Sequence, residues 1–314
     1  MRKQHRFMGI TSLIAVAFLV IVDRAAMAQV PPPVPIAQPP AGSIDFYLAT
    51  GSQLSMQQEW EGAIEAYSKA LKMDSRSAKA LLGRGIAFMG QGDVDNAVKD
   101  FRAVVKIAPR SIDAFNGYLL QGQIAQSKGD LPGALAAYDK AIEIRPNDAS
   151  ARNTRAKARE AKGDHDGAIA DYAQALTLQP RAAAFYAGRG RARTAKGDFD
   201  GAIADLDKSL ELSPRESSFA VYRGDARRAM GDLKGALEDY EHAIAWNGRY
   251  APAYVQRGLV KLLQGDEADA KTDFDQALEL DPKLAANLQK SIESVKGQRK
   301  NNAPAPNRFS DRSP

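Results

Sequence analysis

The sequence predicts an all-α fold: a solenoid of seven helix-turn-helix units over residues 44–284, followed by a C-terminal capping helix over 285–297. Three observations predict it. First, the hexads ALKMDS, VVKIAP, AIEIRP, ALTLQP, SLELSP, AIAWNG and ALELDP end at residues 75, 109, 146, 180, 214, 248 and 282, a 34-residue period with a single interval of 37. Second, a Gly-Asp pair recurs in mid-unit. Third, small residues alternate with large ones at offsets that suit two closely crossing helices.

Taken in order, the units span 44–77, 78–111, 115–148, 149–182, 183–216, 217–250 and 251–284. The first carries Gln58-Glu59 where the others have Gly-Asp, and Ser75 where proline is usual, as befits a terminal unit. In the others Gly92, Gly129, Gly163, Gly197, Gly231 and Gly265 are placed to end the first helix in the left-handed conformation. Asp93, Asp130, Asp164, Asp198, Asp232 and Asp266 follow as N-caps of the second helix. Gly51, Gly85, Gly122, Ala156, Gly190, Gly224 and Gly258 face Ala63, Ala97, Ala134, Ala168, Ala202, Ala236 and Ala270 across the hairpin. Tyr67, Phe101, Tyr138, Tyr172, Leu206, Tyr240 and Phe274 fill the space between neighbours. Three extra residues before Phe115 predict a longer loop or an added helical turn, or else a change of pitch that shapes a binding site. Beyond Pro282, the stripe Leu284, Leu288, Ile292 and Val295 predicts the capping helix.

The last unit shows the motif in full as Gly258, Gly265, Asp266, Ala270, Phe274, Ala277 and Pro282. This pattern resembles the tetratricopeptide repeat (TPR) family, and the resemblance runs through all seven units. It implies a right-handed α-solenoid with a concave inner face along which partner segments lie.

An internal regularity accompanies the repeat. Position 7 of each unit is Thr50, Arg84, Gln121, Arg155, Arg189, Arg223 or Arg257, and position 23 is Ala66, Asp100, Ala137, Asp171, Asp205, Asp239 or Asp273. Arginine and aspartate are present together in five units and absent together in two. The pairs Arg84–Asp100, Arg155–Asp171, Arg189–Asp205, Arg223–Asp239 and Arg257–Asp273 are therefore expected to bridge the two helices of a hairpin by planar guanidinium–carboxylate contacts. Arginines so committed are structural and leave the inventory of ligand-binding charge.

The two ends read differently from the middle. Residues 1–28 combine the basic start MRKQHR, an uncharged stretch from Phe7 to Val22 and the Ala26-Met27-Ala28 pattern, which predicts a signal peptide cleaved after Ala28 and a periplasmic destination in a bacterium. The alternative is retention as an inner-membrane anchor facing the periplasm. Residues 29–43 form a Pro-rich linker, and 298–314 a basic tail expected to be disordered. The formal net charge of +5 belongs to these ends: residues 29–297 hold 35 bases and 36 acids, which disfavours nucleic acid as a partner. Membrane contact is expected only through a retained signal or the basic tail.

Catalytic, metal and cofactor chemistry finds little to stand on. With no cysteine there is no thiolate nucleophile or thiolate metal site. Of the three histidines, His5 lies in the signal, His165 begins a helix between Asp164 and Asp166, and His242 lies on a second helix. The glycines sit at caps and crossings, not in a phosphate-binding loop. The expected function is non-enzymatic, with no cofactor and no metal.

On the first helix of each unit, positions 4, 7, 8 and 11 pack while 2, 5, 9 and 12 face the other way. By the family resemblance this second set lines the concave groove. It comprises Leu48, Leu82, Ile86, Met89, Leu119, Gln123 and Gln126 in the early units, and Asn153, Lys157, Arg191 and Arg228 in the later ones, with Arg159, Arg193, Arg227 and Lys261 at position 11 near its edge. A groove that is apolar and amide-rich at one end and basic at the other suits an extended peptide with hydrophobic anchors and an acidic end. The lysine–asparagine clamp that some members of the family use for chaperone C-termini is missing, its positions being held by Leu48, Ser52, Lys79, Leu82 and Gly83. The expected role is a protein-interaction adaptor or scaffold for an envelope partner. Alternatives are a periplasmic co-chaperone or assembly factor, and a structural subunit of an envelope or secretion complex.

Overall fold

The computed structural model describes residues 39–302, with side chains to Arg299; the expected signal peptide, most of the linker and the end of the basic tail lie outside the described residues. Among the described residues all regular structure is helical, and the chain divides into two compact units that meet between Gly163 and Asp164. The first contains α1 (Ile44–Met56), α2 (Trp60–Met73), α3 (Ala78–Gln91), α4 (Val94–Ile107), α5 (Ile112–Ser127), α6 (Leu131–Ile144) and α7 (Ala149–Lys162). The second contains α8 (His165–Leu178), α9 (Ala183–Lys196), α10 (Phe199–Leu212), α11 (Ser217–Met230), α12 (Leu233–Trp246), α13 (Ala251–Gln264), α14 (Glu267–Leu280), a 3-10 turn (Pro282–Leu284) and α15 (Ala285–Asn302). The fourth sequence repeat is thus shared, α7 ending one unit and α8 opening the next.

The hairpins are made by local chemistry. Gly92, Gly129, Gly163, Gly197, Gly231 and Gly265 all have φ between +81° and +104°. The following backbone N–H reaches back to close the helix end, as from Asp93 to the Phe88 carbonyl at 2.8 Å and from Asp232 to Arg227 at 2.9 Å. The aspartates then accept from the third residue of the next helix: Asp93 from Asn96, Asp130 from Gly133, Asp164 from Gly167, Asp198 from Gly201 and Asp232 from Gly235, at 2.9–3.1 Å. Asp266 differs from the sequence expectation and makes no such bond. Its third residue is Asp269, whose Cβ occupies the room the cap carboxylate takes over glycine and whose charge repels it. Asn96 has a side chain too, but its amide donates to Asp93 at 2.6 Å.

In the first hairpin Gln58 itself takes the left-handed conformation, φ +62°, and the Glu59 N–H still closes on Leu54 at 2.9 Å. A side chain with a Cβ costs about 1–2 kcal/mol there, partly offset by its lower unfolded-state entropy than glycine. Gln58→Gly is therefore expected to raise stability by about 0.5 kcal/mol, measured as a higher urea midpoint at unchanged slope.

Packing between helices uses the small–large register. A Cβ on Gly85 would stand 2.5 Å from the Phe101 ring, one on Gly224 2.6 Å from Tyr240, and one on Gly258 2.6 Å from Phe274. Gly83 and Gly188, which begin no motif in the sequence reading, are just as constrained, by the Tyr67 and Tyr172 rings of the preceding hairpin. One aromatic thus separates two first helices. The extra residues before Phe115 form an added helical turn: α5 starts at Ile112, capped by Ser111, and runs 16 residues against the usual 14. The cap helix α15 buries Leu288 and Val295 against Leu259, Leu262 and Phe274, and continues to Asn302, past the expected end at 297.

Candidate functional site

Within each unit the first helices of successive hairpins lie against one another, α1 on α3 on α5 and α9 on α11 on α13, whereas the second helices pack mainly on first helices. These contacts form a continuous wall of α1, α3 and α5 in the first unit and of α9, α11 and α13 in the second. Its composition follows from which residues the framework has already used.

The arginine–aspartate pairs are part of that framework. Arg84 binds Asp100 through Nε and Nη2, both at 2.8 Å; Arg189 binds Asp205 at 2.8 and 2.6 Å; Arg257 binds Asp273 at 3.0 and 2.6 Å. Arg223 grips Asp239, which is fully buried, with Nη2 at 2.5 Å and Nε at 3.1 Å. Arg155 and Asp171 belong to different units. The remaining guanidinium nitrogen often reaches the preceding hairpin: Arg84 to Ser68 at 3.2 Å, Arg155 to Asp139 at 2.6 Å and Arg223 to Asp207 at 2.6 Å. Three helices are joined through one side chain.

The basic residues at position 11 correct the sequence reading. Arg193 binds Asp205 at 2.8 Å, Arg227 binds Asp239 at 2.9 Å and Lys261 binds Asp273 at 2.9 Å. Each of these aspartates, nearly excluded from solvent, takes two cations. These charges neutralise the framework and leave the groove inventory.

The apolar end of the expected groove also changes. Leu82 and Met89 are 7% and 3% exposed in a core with Phe101, Val104 and Ile124, and Leu119 is 6% exposed against Phe115, Tyr138 and Ile142. Close packing of successive first helices draws their positions 5, 9 and 12 partly inward, so these side chains are core. Ile86 is half-buried on the same cluster. Gln126 accepts the Tyr138 hydroxyl at 3.0 Å. Gln123 and Asn153 are half-buried, with the Gln123 Oε1 and Asn153 Oδ1 atoms buried and without a protein partner. Lys157 is exposed.

In the second unit, Arg191 and Arg228 border one polar cluster. Arg191 lies over the Tyr222 ring at 5.1 Å and approaches its hydroxyl at 3.4 Å. Tyr240 donates to Asp225 at 2.9 Å, and Asp225 stands 4.0 Å from Arg228 Nη2. Burial pushes the Asp225 carboxyl up to about 6, against the pull of Arg228 and the Tyr240 hydroxyl. Burial, with Tyr222, Glu216 and Asp225 nearby, holds the Tyr250 phenol up at about 12.

A carboxyl whose folded value lies above its ordinary one stabilises the fold when protonated. That contribution is present at low pH and is lost as pH rises through about 6. Relative to Asp225→Asn, wild-type stability is expected to rise by about 2 kcal/mol between pH 8 and pH 4, read by urea unfolding of both proteins across that range.

Beside this cluster, α11, α13 and α15 border an open cleft of about 330 Å³ lined by Arg228, Gln256, Leu259, Lys290, Ser291, Ser294, Val295 and Gln298, of which Lys290, Ser294 and Gln298 are exposed. Of these the sequence marks Arg228 as a groove residue and Val295 as part of the cap-helix stripe. The lining from α15 depends on how the cap helix is seated, which the stripe Leu288–Val295 indicates only in outline. Among the described residues no group of three or more histidine, aspartate or glutamate side chains is arranged to hold a metal. His242 stacks on Trp246 at 5.7 Å.

Family models described as tetratricopeptide repeat match residues 49–112 and 153–217, and 251–284, and one described as TPR repeat matches 122–163. The chain is 35% identical over 112 residues to the small glutamine-rich tetratricopeptide repeat-containing protein 2 of Mycosarcoma maydis, covering 36% of this chain and 31% of that protein. It is 28% identical over 123 residues to the outer dynein arm-docking complex subunit 4 of Xenopus laevis, covering 39% of this chain and 23% of that one. The matched segments thus span under a third of these curated relatives. The crystal structure of a tetratricopeptide repeat protein from Parabacteroides merdae superposes with a TM-score of 0.65 at 17% identity, over 80% of this chain and 98% of that one. That likeness is one of fold.

Proposed function

The chain belongs to the tetratricopeptide repeat family, and on that premise we propose that it is a non-catalytic protein-interaction adaptor of the bacterial envelope whose first helices hold an extended segment of a partner protein. One observation carries this reading. Of the seven side chains among the described residues whose buried polar atoms have no protein hydrogen-bond partner, six, Ser55, Gln121, Gln123, Asn153, Arg228 and Gln256, stand on first helices and one, His165, on a second. Apart from Ser55 these first-helix side chains are only partly buried, so a rotation that brings the atoms to the surface lets them pair with an extended main chain, which carries both N–H donors and carbonyl acceptors. A wall of packed helices moves little on binding, so the ordering cost falls mainly on the partner. The envelope setting is supported by the signal-like pattern of residues 1–28.

The test is affinity capture of envelope proteins from the source organism by the full chain and by a Lys157→Glu, Arg191→Glu, Arg228→Glu variant of unchanged circular dichroism. A defined partner retained by the wild type and lost by the variant is the expected outcome. Equal recovery by both overturns the site, and N-terminal sequencing that finds Met1 intact in the cytosolic fraction overturns the location.

A further inference from the structure

Each hairpin turn reverses the chain, so the start of α3 and the end of α4 lie at one edge of the first unit, together with the end of α2 and the start of α5. Leu71, Ala78 and Ile107 meet there in one apolar cluster. The loops at this edge, 74–77 and 108–111, and the helix ends beside them carry Lys72, Arg76, Lys79, Lys106 and Arg110. All five side chains are exposed, and none stands within ion-pair distance of a carboxylate among the described residues. Of the two acids between them, Asp74 accepts the Arg76 backbone N–H at 2.9 Å and Asp113 is half-buried in the first turn of α5.

Two large apolar side chains stand among these bases in water: Met73 is 55% exposed and Ile112 52%. The opposite edge of the same unit is acidic, residues 56–61, 91–96 and 127–132 holding Glu59, Glu61, Asp93, Asp95 and Asp130 against Lys128 alone. Nor do the bases of the loops follow from turn chemistry. Position 33 of the repeat is Arg76, Arg110, Arg181, Arg215, Arg249 or Lys283 in six of the seven units, exposed in each. Arg215 takes this place at φ +65°, a left-handed conformation better served by glycine or asparagine. The position selects a cation and not a turn former.

We propose that the edge formed by residues 72–79 and 106–112 docks on an anionic lipid membrane, its bases lying over the headgroups and Met73 and Ile112 entering the boundary between headgroups and acyl chains. Exposed bases without carboxylate partners are drawn to a surface of spread negative charge, each contributing about fivefold to partitioning at low salt. A soluble polyanion would engage the bases and leave Met73 and Ile112 in water, whereas a lipid surface accommodates both. The chain also enters the fold here: α1 starts at the edge where its hairpin partner α2 ends, so the Pro-rich linker joins the first unit at the proposed surface. This contact is additional to the two ends from which the sequence leads one to expect membrane contact. It uses loops and helix ends and not the wall of first helices, so it holds whether or not that wall binds a partner.

The experiment exploits the absence of cysteine: Ile112→Cys gives the full chain a single attachment point for an environment-sensitive nitrobenzoxadiazole label. Met56→Cys, 61% exposed at the opposite edge of the same unit, is the comparison. Both labelled chains are titrated with vesicles of phosphatidylcholine alone and of phosphatidylcholine mixed with phosphatidylglycerol, in low and in high salt. Blue-shifted, brighter emission from the Ile112 label on the phosphatidylglycerol vesicles, reversed by salt and missing on phosphatidylcholine, with little change from the Met56 label, is expected. Arg76→Gln, Lys79→Gln and Arg110→Gln together are expected to weaken the Ile112 response about 100-fold at unchanged circular dichroism and urea midpoint. Met73→Gln is expected to weaken it severalfold.

A silent Ile112 label, an equal response from Met56, an equal response on neutral vesicles, or a response indifferent to the triple substitution or to Met73→Gln overturns the proposal. So does an equal shift with heparin in place of vesicles, which assigns the edge to an acidic polymer.

Discussion

Asp239→Ala is expected to lower stability by about 3 kcal/mol or more, seen as a large fall in the urea midpoint. The carboxylate is fully buried and faces two guanidinium groups, Arg223 and Arg227, whose side chains are 18% and 25% exposed. Removing it leaves Arg227 mostly out of water without its carboxylate partner and Arg223 with the half-exposed Asp207 alone, close to the situation in which breaking a buried pair is costly. Asp207, which binds the same Arg223 but is 54% exposed, gives the contrast. Asp207→Ala is expected to cost under about 1 kcal/mol, because water replaces the lost partner. Similar losses for the two variants would show that the buried carboxylate is not the centre of this network.

Phe101→Ala is expected to cost about 3–5 kcal/mol, since the ring is fully buried between first and second helices in the core with Leu82, Met89 and Val104. The same ring lies where a Cβ on Gly85 would come within 2.5 Å. Gly85→Ala in the wild-type background should therefore cost about 1–3 kcal/mol by overpacking, and much less in the Phe101→Leu background, where the shorter side chain can yield. Additive losses in the double-mutant cycle would contradict direct contact as the reason for glycine at this position.

The sequence made these features legible to different degrees. Caps are decided by a few neighbouring residues, so Gly-Asp located the hairpin turns, and the left-handed Gln58 marks where the same geometry persists without glycine. Arginine at position 7 and aspartate at position 23 lie within one hairpin, and their co-occurrence corresponds to hydrogen bonds in each of the four pairs that a single unit contains. The third contact of these arginines was not readable, because position 25 of the preceding unit varies among Ser68, Arg102, Asp139, Ala173, Asp207 and Glu241. Leu82, Met89 and Leu119 were read as groove surface because a helical wheel records direction along one helix and not how closely the next helix lies. Lys290 escaped notice for a related reason. Only the seating of Leu288 and Val295 brings α15 to the cleft, and that seating depends on tertiary packing.

The wall of first helices also differs from its expected gradient. Much of its apolar content is core, and its unmatched polar atoms occur in both units, on α1, α5, α7, α11 and α13. Specificity would then come from a few charged or aromatic positions, of which Lys157, Arg191 with Tyr222, and Arg228 are the exposed or half-exposed ones.

The most direct test of partner binding along this wall is site-specific photocrosslinking in the source organism, with a photoreactive phenylalanine analogue placed singly at Lys157, Arg191 or Lys290, and at Lys208 or Lys234 on the second helices as comparison. One discrete crosslinked protein shared by the first-helix and cap-helix positions, and missing from the second-helix positions, is the result this account predicts. Crosslinks to a partner from Lys208 and Lys234 alone would contradict it and place recognition on the opposite face.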